Sequence, residues 1–99
     1  MLLRERTTEE GLLVSVCDPD CLGETYENGA ASLTVDEEFY GGPDAREATR
    51  EEVVNGLQRA QVANIVGAEA VDVAVDAGLV DEETVLDFGE TRHAQLLWL

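Results

Sequence analysis

The sequence predicts an α+β domain with two to three helices packed on one face of a mixed or mainly antiparallel sheet of about five strands. Two observations predict it: short β-branched apolar runs bounded by turn residues lie in both the first and last thirds of the chain, and a helical apolar pattern lies between them. The expected order is β-β-β-α-α-β-β. With 99 residues, 44% of them hydrophobic, and neither repeat nor linker, residues 1–99 are expected to form a single domain with one modest core.

The first two strands form a predicted hairpin. Segment 11–17, Gly-Leu-Leu-Val-Ser-Val-Cys, is apolar and β-branched and is followed by Asp-Pro-Asp, which predicts a mostly buried strand. Residues 2–6 predict an edge strand that pairs with it. Because side chains alternate along a strand, Arg4 and Arg6 then lie on one face.

A loop and a third strand come next. Glycine and asparagine predict a loop over 23–30, and the alternation of Ala-Ser-Leu-Thr-Val predicts a half-buried strand over 31–35. Gly-Gly-Pro-Asp at 41–44 then interrupts the regular structure.

The helical part begins at a capping box. Thr49 is followed three residues later by Glu52 and then by an apolar run, which predicts a helix start. Helical spacing of the apolar residues continues to Ile65, with a break expected near Gly67, and a second helix is predicted over 68–77.

Two closing strands complete the predicted order, over 85–88 and 94–99, separated by Gly-Glu-Thr-Arg. Trp98 is interpreted as a plug on the sheet edge.

Charge is the most unusual feature of the composition. The chain has 22 acidic residues, 6 arginines and no lysine, for a net charge of −16. Such charge destabilises a compact chain unless salt screens it, and at molar salt the screening length falls to about 3 Å. We therefore expect a halophilic protein. Neither a signal peptide nor a run of about 18 apolar residues is visible, so the expected location is the cytoplasm, without membrane attachment.

Acids are scarce between residues 53 and 71, which indicates either core or a contact surface. Uncharged amides recur every third residue there: Asn55, Gln58, Gln61 and Asn64. They either bond to local backbone or form a docking face, because an amide can bond to a partner without burial of a charge. Both interpretations remain open from the sequence.

Several stretches together resemble one family. They are Cys17-Asp18, Leu22-Gly23-Glu24-Thr25, Glu27-x-Gly29, Phe39-Tyr40-Gly41-Gly42, Ala63-Asn64-Ile65-Val66-Gly67 and His93-Ala94-Gln95. In order and spacing they are similar to the archaeal family of domains of unknown function 424. The resemblance implies an archaeal, cytosolic, single-domain protein associated with RNA or the translation machinery, and it implies no activity. At Cys21 the family usually has an aliphatic residue, which argues against a role for the two cysteines as a pair.

Cys17, Asp18 and His93 are the candidate catalytic group. A cysteine nucleophile needs a base within hydrogen-bond reach and a group that orients the base. Strand ends can bring Cys17 and His93 together, which would make a small hydrolase or transferase. Against this interpretation, dense acidic surroundings raise a thiol pKa and oppose thiolate formation.

Cys17, Cys21 and His93 are the candidate metal ligands. Structural zinc sites use four ligands, and Cys-x3-Cys here has no matching second pair. A calcium loop from Asp18 fails because Leu22 and Gly29 stand where oxygen ligands are needed. Gly41-Gly42 lacks the residues of a phosphate-binding loop. The sequence therefore predicts neither metal nor cofactor.

The sequence as a whole favours a non-enzymatic binding module of archaeal information processing. The expected partner is an RNA, a ribonucleoprotein or a protein, with no indication of DNA specificity, and the oligomeric state stays open. Arginine and aromatic side chains can stack on unpaired bases, a short-range contact that survives high salt. The expected contact residues are Phe39, Tyr40, Asn64, Gly67, His93 and Gln95.

Overall fold

The computed structural model describes residues 1–97, which form a six-stranded mixed sheet with helices on both faces. The strands are β1 Leu2–Thr8, β2 Gly11–Cys17, β3 Thr25–Asn28, β4 Ala31–Thr34, β5 Arg46–Glu47, β6 Val62–Val66, β7 Leu86–Asp87 and β8 Arg92–Leu97. The helices are α1 Glu37–Tyr40, α2 Arg50–Arg59 and α3 Ala68–Asp76, with single 3-10 turns at Pro19–Cys21 and Glu82–Thr84.

The sheet has the strand order β5-β1-β2-β6-β8-β7. β2 and β6 are parallel because α2 carries the chain back across the sheet between them, and the other neighbouring pairs are antiparallel. β3 and β4 form a separate ribbon. The predicted α+β class and single mixed sheet are confirmed, with six strands where about five were expected.

The main core lies between the sheet and the two longer helices. α2 and α3 each place apolar residues at helical spacing against one sheet face. Fully buried side chains from both layers meet there: Leu3, Val14, Val16, Val53, Leu57, Ile65 and Val71. The predicted capping box begins α2, where Thr49 Oγ1 accepts from the Glu52 amide and Glu52 Oε1 accepts from the Thr49 amide.

A second, smaller core covers one end of the opposite sheet face. It contains Cys17, Cys21, Val35, Tyr40 and Val66, with the β3–β4 ribbon and α1 packed over them. The two predicted helices, α2 and α3, share one sheet face as expected, and α1, a single turn that the sequence did not predict, lies on the other face. β3 also replaces part of the loop predicted over 23–30, because its side chains gain cross-strand partners in β4.

The largest difference from the sequence prediction is β6. The helix predicted to run to Ile65 ends at Arg59, and residues 62–66 form a central strand between β2 and β8. A short apolar run fits helical and strand spacing equally well. Its position between β2 and β8 therefore determines that these residues form a strand. The four amides that recur every third residue thus divide between α2, the following loop and β6.

The predicted closing strands are present as β7 and β8. The last two residues of the second one, including the interpreted plug Trp98, lie outside the described residues. Within residues 1–97, no helix is long and apolar enough to cross a membrane.

Candidate functional site

The register of the sheet separates its side chains into two faces. Leu3, Val16, Ile65 and Ala94 align across β1, β2, β6 and β8 on the face that α2 and α3 cover. Because side chains alternate, the neighbouring positions point to the opposite face. They form three rows without an acidic residue. These are Leu2, Cys17, Val66 and His93; Arg4, Ser15, Asn64 and Gln95; and Arg6, Leu13, Val62 and Leu97.

Part of this opposite face is open to solvent, over β6 and β8. We call it the amide face, and it consists of Val62, Asn64, His93, Gln95 and Leu97. Gln95 and Leu97 are exposed, and the other three side chains are half-buried. The structure therefore brings together Asn64, His93 and Gln95, three of the six residues that the sequence indicated for binding.

An amide pair lies at the centre of the amide face. Gln95 Nε2 donates a hydrogen bond of 2.8 Å to Asn64 Oδ1 across the β6–β8 pair. Each primary amide carries both a donor and an acceptor group. This hydrogen bond uses the amide nitrogen of Gln95 and the amide oxygen of Asn64. The Asn64 Nδ2 and the Gln95 Oε1 do not take part in it.

His93 lies on β8 two residues before Gln95 and on the same sheet face. It forms part of the wall of a depression of about 220 Å³ that Thr84, Leu86 and Gln95 also line. Burial lowers the pKa of its imidazole, so the ring is neutral near pH 7. Its Nε2 is buried and has no hydrogen-bond partner within residues 1–97. A neutral imidazole adds a further uncharged polar group to the amide face.

Arg6 and Phe39 form the margin of the open surface. The Arg6 guanidinium carbon lies 4.7 Å from the centre of the Phe39 ring, which is cation–π geometry. Five of the six arginines have a carboxylate within 4 Å, and Arg6 has none within residues 1–97. Its Nε and Nη2 are buried without a hydrogen-bond partner in that range.

Tyr40 is placed differently from its neighbour Phe39. It is 5% exposed in the second core, and burial raises its pKa to about 12. The two rings meet edge to face with centroids 5.0 Å apart. Of the predicted aromatic wall, only Phe39 therefore reaches the margin of the surface, while Tyr40 supports it from inside.

Gly67 and Asp18 hold the start of α3. The Asp18 carboxylate accepts hydrogen bonds from the Glu69 amide (3.0 Å) and the Ala70 amide (2.9 Å), which satisfies two open donors of the helix. Burial is the main cause that raises the pKa of Asp18. A Cβ on Gly67 would lie 2.3 Å from the Asp18 Cγ, so a side chain is excluded there. These two residues have a structural role here.

Cys17 and His93 lie on strands that β6 separates, at the same level of the sheet. Two strand spacings put their Cα atoms about 10 Å apart. Cys17 is fully buried, and burial raises its pKa to about 12. The arrangement does not supply the hydrogen-bonded, accessible pair that nucleophilic catalysis requires.

Cys17, Cys21 and His93 likewise do not meet as a ligand group within the described part of the chain. The residues that do cluster there are Asp18, Asp20 and Cys21. Both Asp18 oxygens already accept from α3, and the Cys21 sulfur contacts Thr91 Oγ1 at 3.5 Å. The cluster is accounted for by these internal contacts.

A family model described as a protein of unknown function, DUF424, matches residues 5–99. The chain belongs to the DUF424 family. It is also similar to the crystal structure of an uncharacterised conserved protein from Methanopyrus kandleri, with 27% identity and a TM-score of 0.73. That similarity covers 99% of this chain and 92% of the other. No curated protein matches this chain.

Two parts of the surface of this DUF424 protein could not be identified from the sequence. One is the contact of Arg6 with Phe39, which joins residues far apart in the chain. The other is Leu97 beside Gln95. The two-residue spacing of His93, Gln95 and Leu97 is a signal for a shared strand face, but it does not show which face a second layer covers.

Proposed function

We propose that this DUF424 protein is a non-enzymatic binding module of archaeal information processing, whose partner is an RNA, a ribonucleoprotein or a translation-associated protein. The amide face carries the proposal. In a chain of net charge −16, it offers hydrogen-bonding groups and apolar surface without a carboxylate. A partner can therefore cover it without desolvating a charge, which is the most costly step in burying polar surface.

The chemical groups of this surface are suited to contacts with unpaired bases. Asn64 and Gln95 offer amide donors and acceptors of the kind that recognise base edges, and the Arg6–Phe39 pair adds a cation and a ring at the margin. Long-range repulsion from the acidic surface opposes an RNA partner at low salt. At molar salt the screening length of about 3 Å removes most of this repulsion.

The same charge supports a halophilic cytoplasm as the working environment. Molar salt reduces the self-repulsion of 22 acidic residues, and short carboxylates without lysine keep the exposed apolar surface small. The alternative, a Cys-His hydrolase or transferase, has no support from the buried Cys17 or from its separation from His93.

Affinity purification from a halophilic archaeal host at molar KCl tests the proposal, with RNA sequencing and protein mass spectrometry of the bound material. The wild-type chain is expected to enrich a defined RNA or protein set. The double variant Asn64→Ala/Gln95→Ala removes the central amides and is expected to lose about tenfold of that enrichment.

The matched control is Asn55→Ala/Gln58→Ala, which removes two exposed amides from α2 on the other side of the sheet. It is expected to retain the wild-type enrichment. Absence of any RNA or protein above background with the wild-type chain overturns the proposal, and so does an equal loss in both double variants.

A further inference from the structure

We propose that two copies of this chain associate through β8, which pairs with its counterpart antiparallel so that one sheet runs through both copies. β8 is long but only partly covered. β7 pairs with it at Arg92 and His93 alone, so the outer edge from Ala94 to Leu97 has no neighbouring strand within residues 1–97. An uncovered edge of this kind is a template for a further strand.

The main-chain groups at this edge are set for such pairing. The Gly67 amide donates to the Arg92 carbonyl oxygen, and the Phe88 amide donates to the Thr91 carbonyl oxygen, both at 2.9 Å. Peptide groups in an antiparallel strand alternate between its two sides. Gln95 and Leu97, on the Thr91 side, therefore direct their N–H and C=O groups outward.

The opposite edge of the sheet is protected against strand addition. β1 is flanked there by the two-residue strand β5 and presents Arg4, Glu5 and Arg6. Short edge strands and charged residues are common means of preventing edge-to-edge association. Beyond His93, β8 has neither of these features, because its residues 94–97 are Ala-Gln-Leu-Leu. The contrast indicates that this edge is covered in the working protein.

Exposed apolar side chains flank the same edge. Within residues 1–97, the exposed large apolar side chains are Leu86, which is 57% exposed, and Leu97, which is 63% exposed. Leu86 is paired with His93, so both leucines point to the sheet face that carries the amide pair. A strand added beside β8 would remove part of this apolar area from water.

Charge selects a second copy as the occupant. A twofold contact places the same patch of each copy against itself. Of the two sheet edges, residues 94–97 of β8 form the one whose own side chains include no carboxylate, so two such strands can pair without a carboxylate of one facing a carboxylate of the other. Because the remaining charges still repel at a distance, association is expected only when salt screens them.

Sedimentation of the purified full chain tests this inference directly. We expect a monomer at about 0.1 M KCl and a monomer–dimer equilibrium shifted to dimer at about 3 M KCl, over a roughly hundredfold range of protein concentration. Amide hydrogen exchange at 3 M KCl is expected to show protection of the Gln95 and Leu97 N–H groups that is lost on dilution. A monomer at every concentration in 3 M KCl overturns the inference.

A matched pair of variants locates the contact. Gln95→Glu and Gln58→Glu make the same charge change at exposed positions, one on β8 and one on α2. Gln95→Glu is expected to raise the dimer dissociation constant at least about tenfold, because like charges meet in the contact, whereas Gln58→Glu leaves it near the wild-type value. Circular dichroism checks that both fold. Equal constants for the two variants contradict pairing through β8.

Discussion

At the residue scale, Gly67 and Asp18 link two layers of the molecule. Gly67 has φ +120°, a conformation that residues with a side chain rarely adopt. Its missing side chain makes room for the Asp18 carboxylate, which then caps α3. The sequence indicated Gly67 as a break and Asp18 as a possible catalytic group. Their actual contact joins residues from distant parts of the chain, which no local pattern shows.

Gly67→Ala is expected to lower the free energy of unfolding by about 3 kcal/mol, because it adds backbone strain and displaces the Asp18 carboxylate from α3. The control is Gly78→Ala. Gly78 has φ +74°, and a Cβ added there would meet no atom within 4 Å, so only the strain of about 1 kcal/mol applies. Urea unfolding at molar KCl measures both. Equal losses would show that the Asp18 contact contributes nothing.

At the element scale, local sequence signals determined where α2 begins, whereas neighbouring strands determined whether a short apolar run became a strand. The Thr49–Glu52 capping box predicts the start of α2 because its hydrogen bonds involve residues three apart. β6 lacks such a signal. Its five residues, Val-Ala-Asn-Ile-Val, became a strand because β2 and β8 supply hydrogen-bond partners on both sides.

Thr49→Ala is expected to lower the free energy of unfolding by about 1 kcal/mol, because the Glu52 amide at the start of α2 loses its acceptor. Thr49→Ser keeps a hydroxyl oxygen at this position and is expected to stay close to the wild type. Thermal unfolding followed by circular dichroism compares the three proteins. A Ser variant as unstable as the Ala variant would argue against the hydroxyl as the cause.

At the scale of the whole molecule, the few arginines connect distant elements. Glu5 on β1 accepts a hydrogen bond of 2.7 Å from Arg59 of α2 and one of 3.3 Å from Arg46 of β5. In the sequence, the carboxylates adjacent to Arg46 and Arg50 are those of Glu47 and Glu51. The two arginines instead reach other elements, since Arg50 lies 3.6 Å from Asp76 of α3. The cations thus tie the two helices and the sheet edge together.

Glu5→Gln is expected to lower the free energy of unfolding at pH 7 by about 1 kcal/mol. The Arg59 hydrogen bond is the main cause that lowers the pKa of the Glu5 carboxyl in the folded state. Its stabilisation is therefore complete above the ordinary glutamate pKa of about 4.3 and is lost as pH falls through the lower folded-state value.

Urea unfolding of both proteins between neutral and acidic pH measures this difference, which should shrink on acidification. Glu51→Gln on the exposed side of α2 is the control for a general change in charge. A difference between wild type and Glu5→Gln that stays constant with pH would exclude ionised Glu5 as its origin.

The sequence by itself determined the α+β class, the capping box, the glycine-bounded helix α3 and the acid-free character of the residues around Asn64 and from His93 onward. These features depend on composition or on contacts within a few residues. Only the tertiary structure decided that Asn64, His93 and Gln95 share an open face, that Tyr40 and Cys17 are buried, and that the outer edge of β8 beyond His93 has no neighbouring strand within residues 1–97. Each depends on which strands become neighbours and which layer covers them, and that follows from the packing of the whole chain.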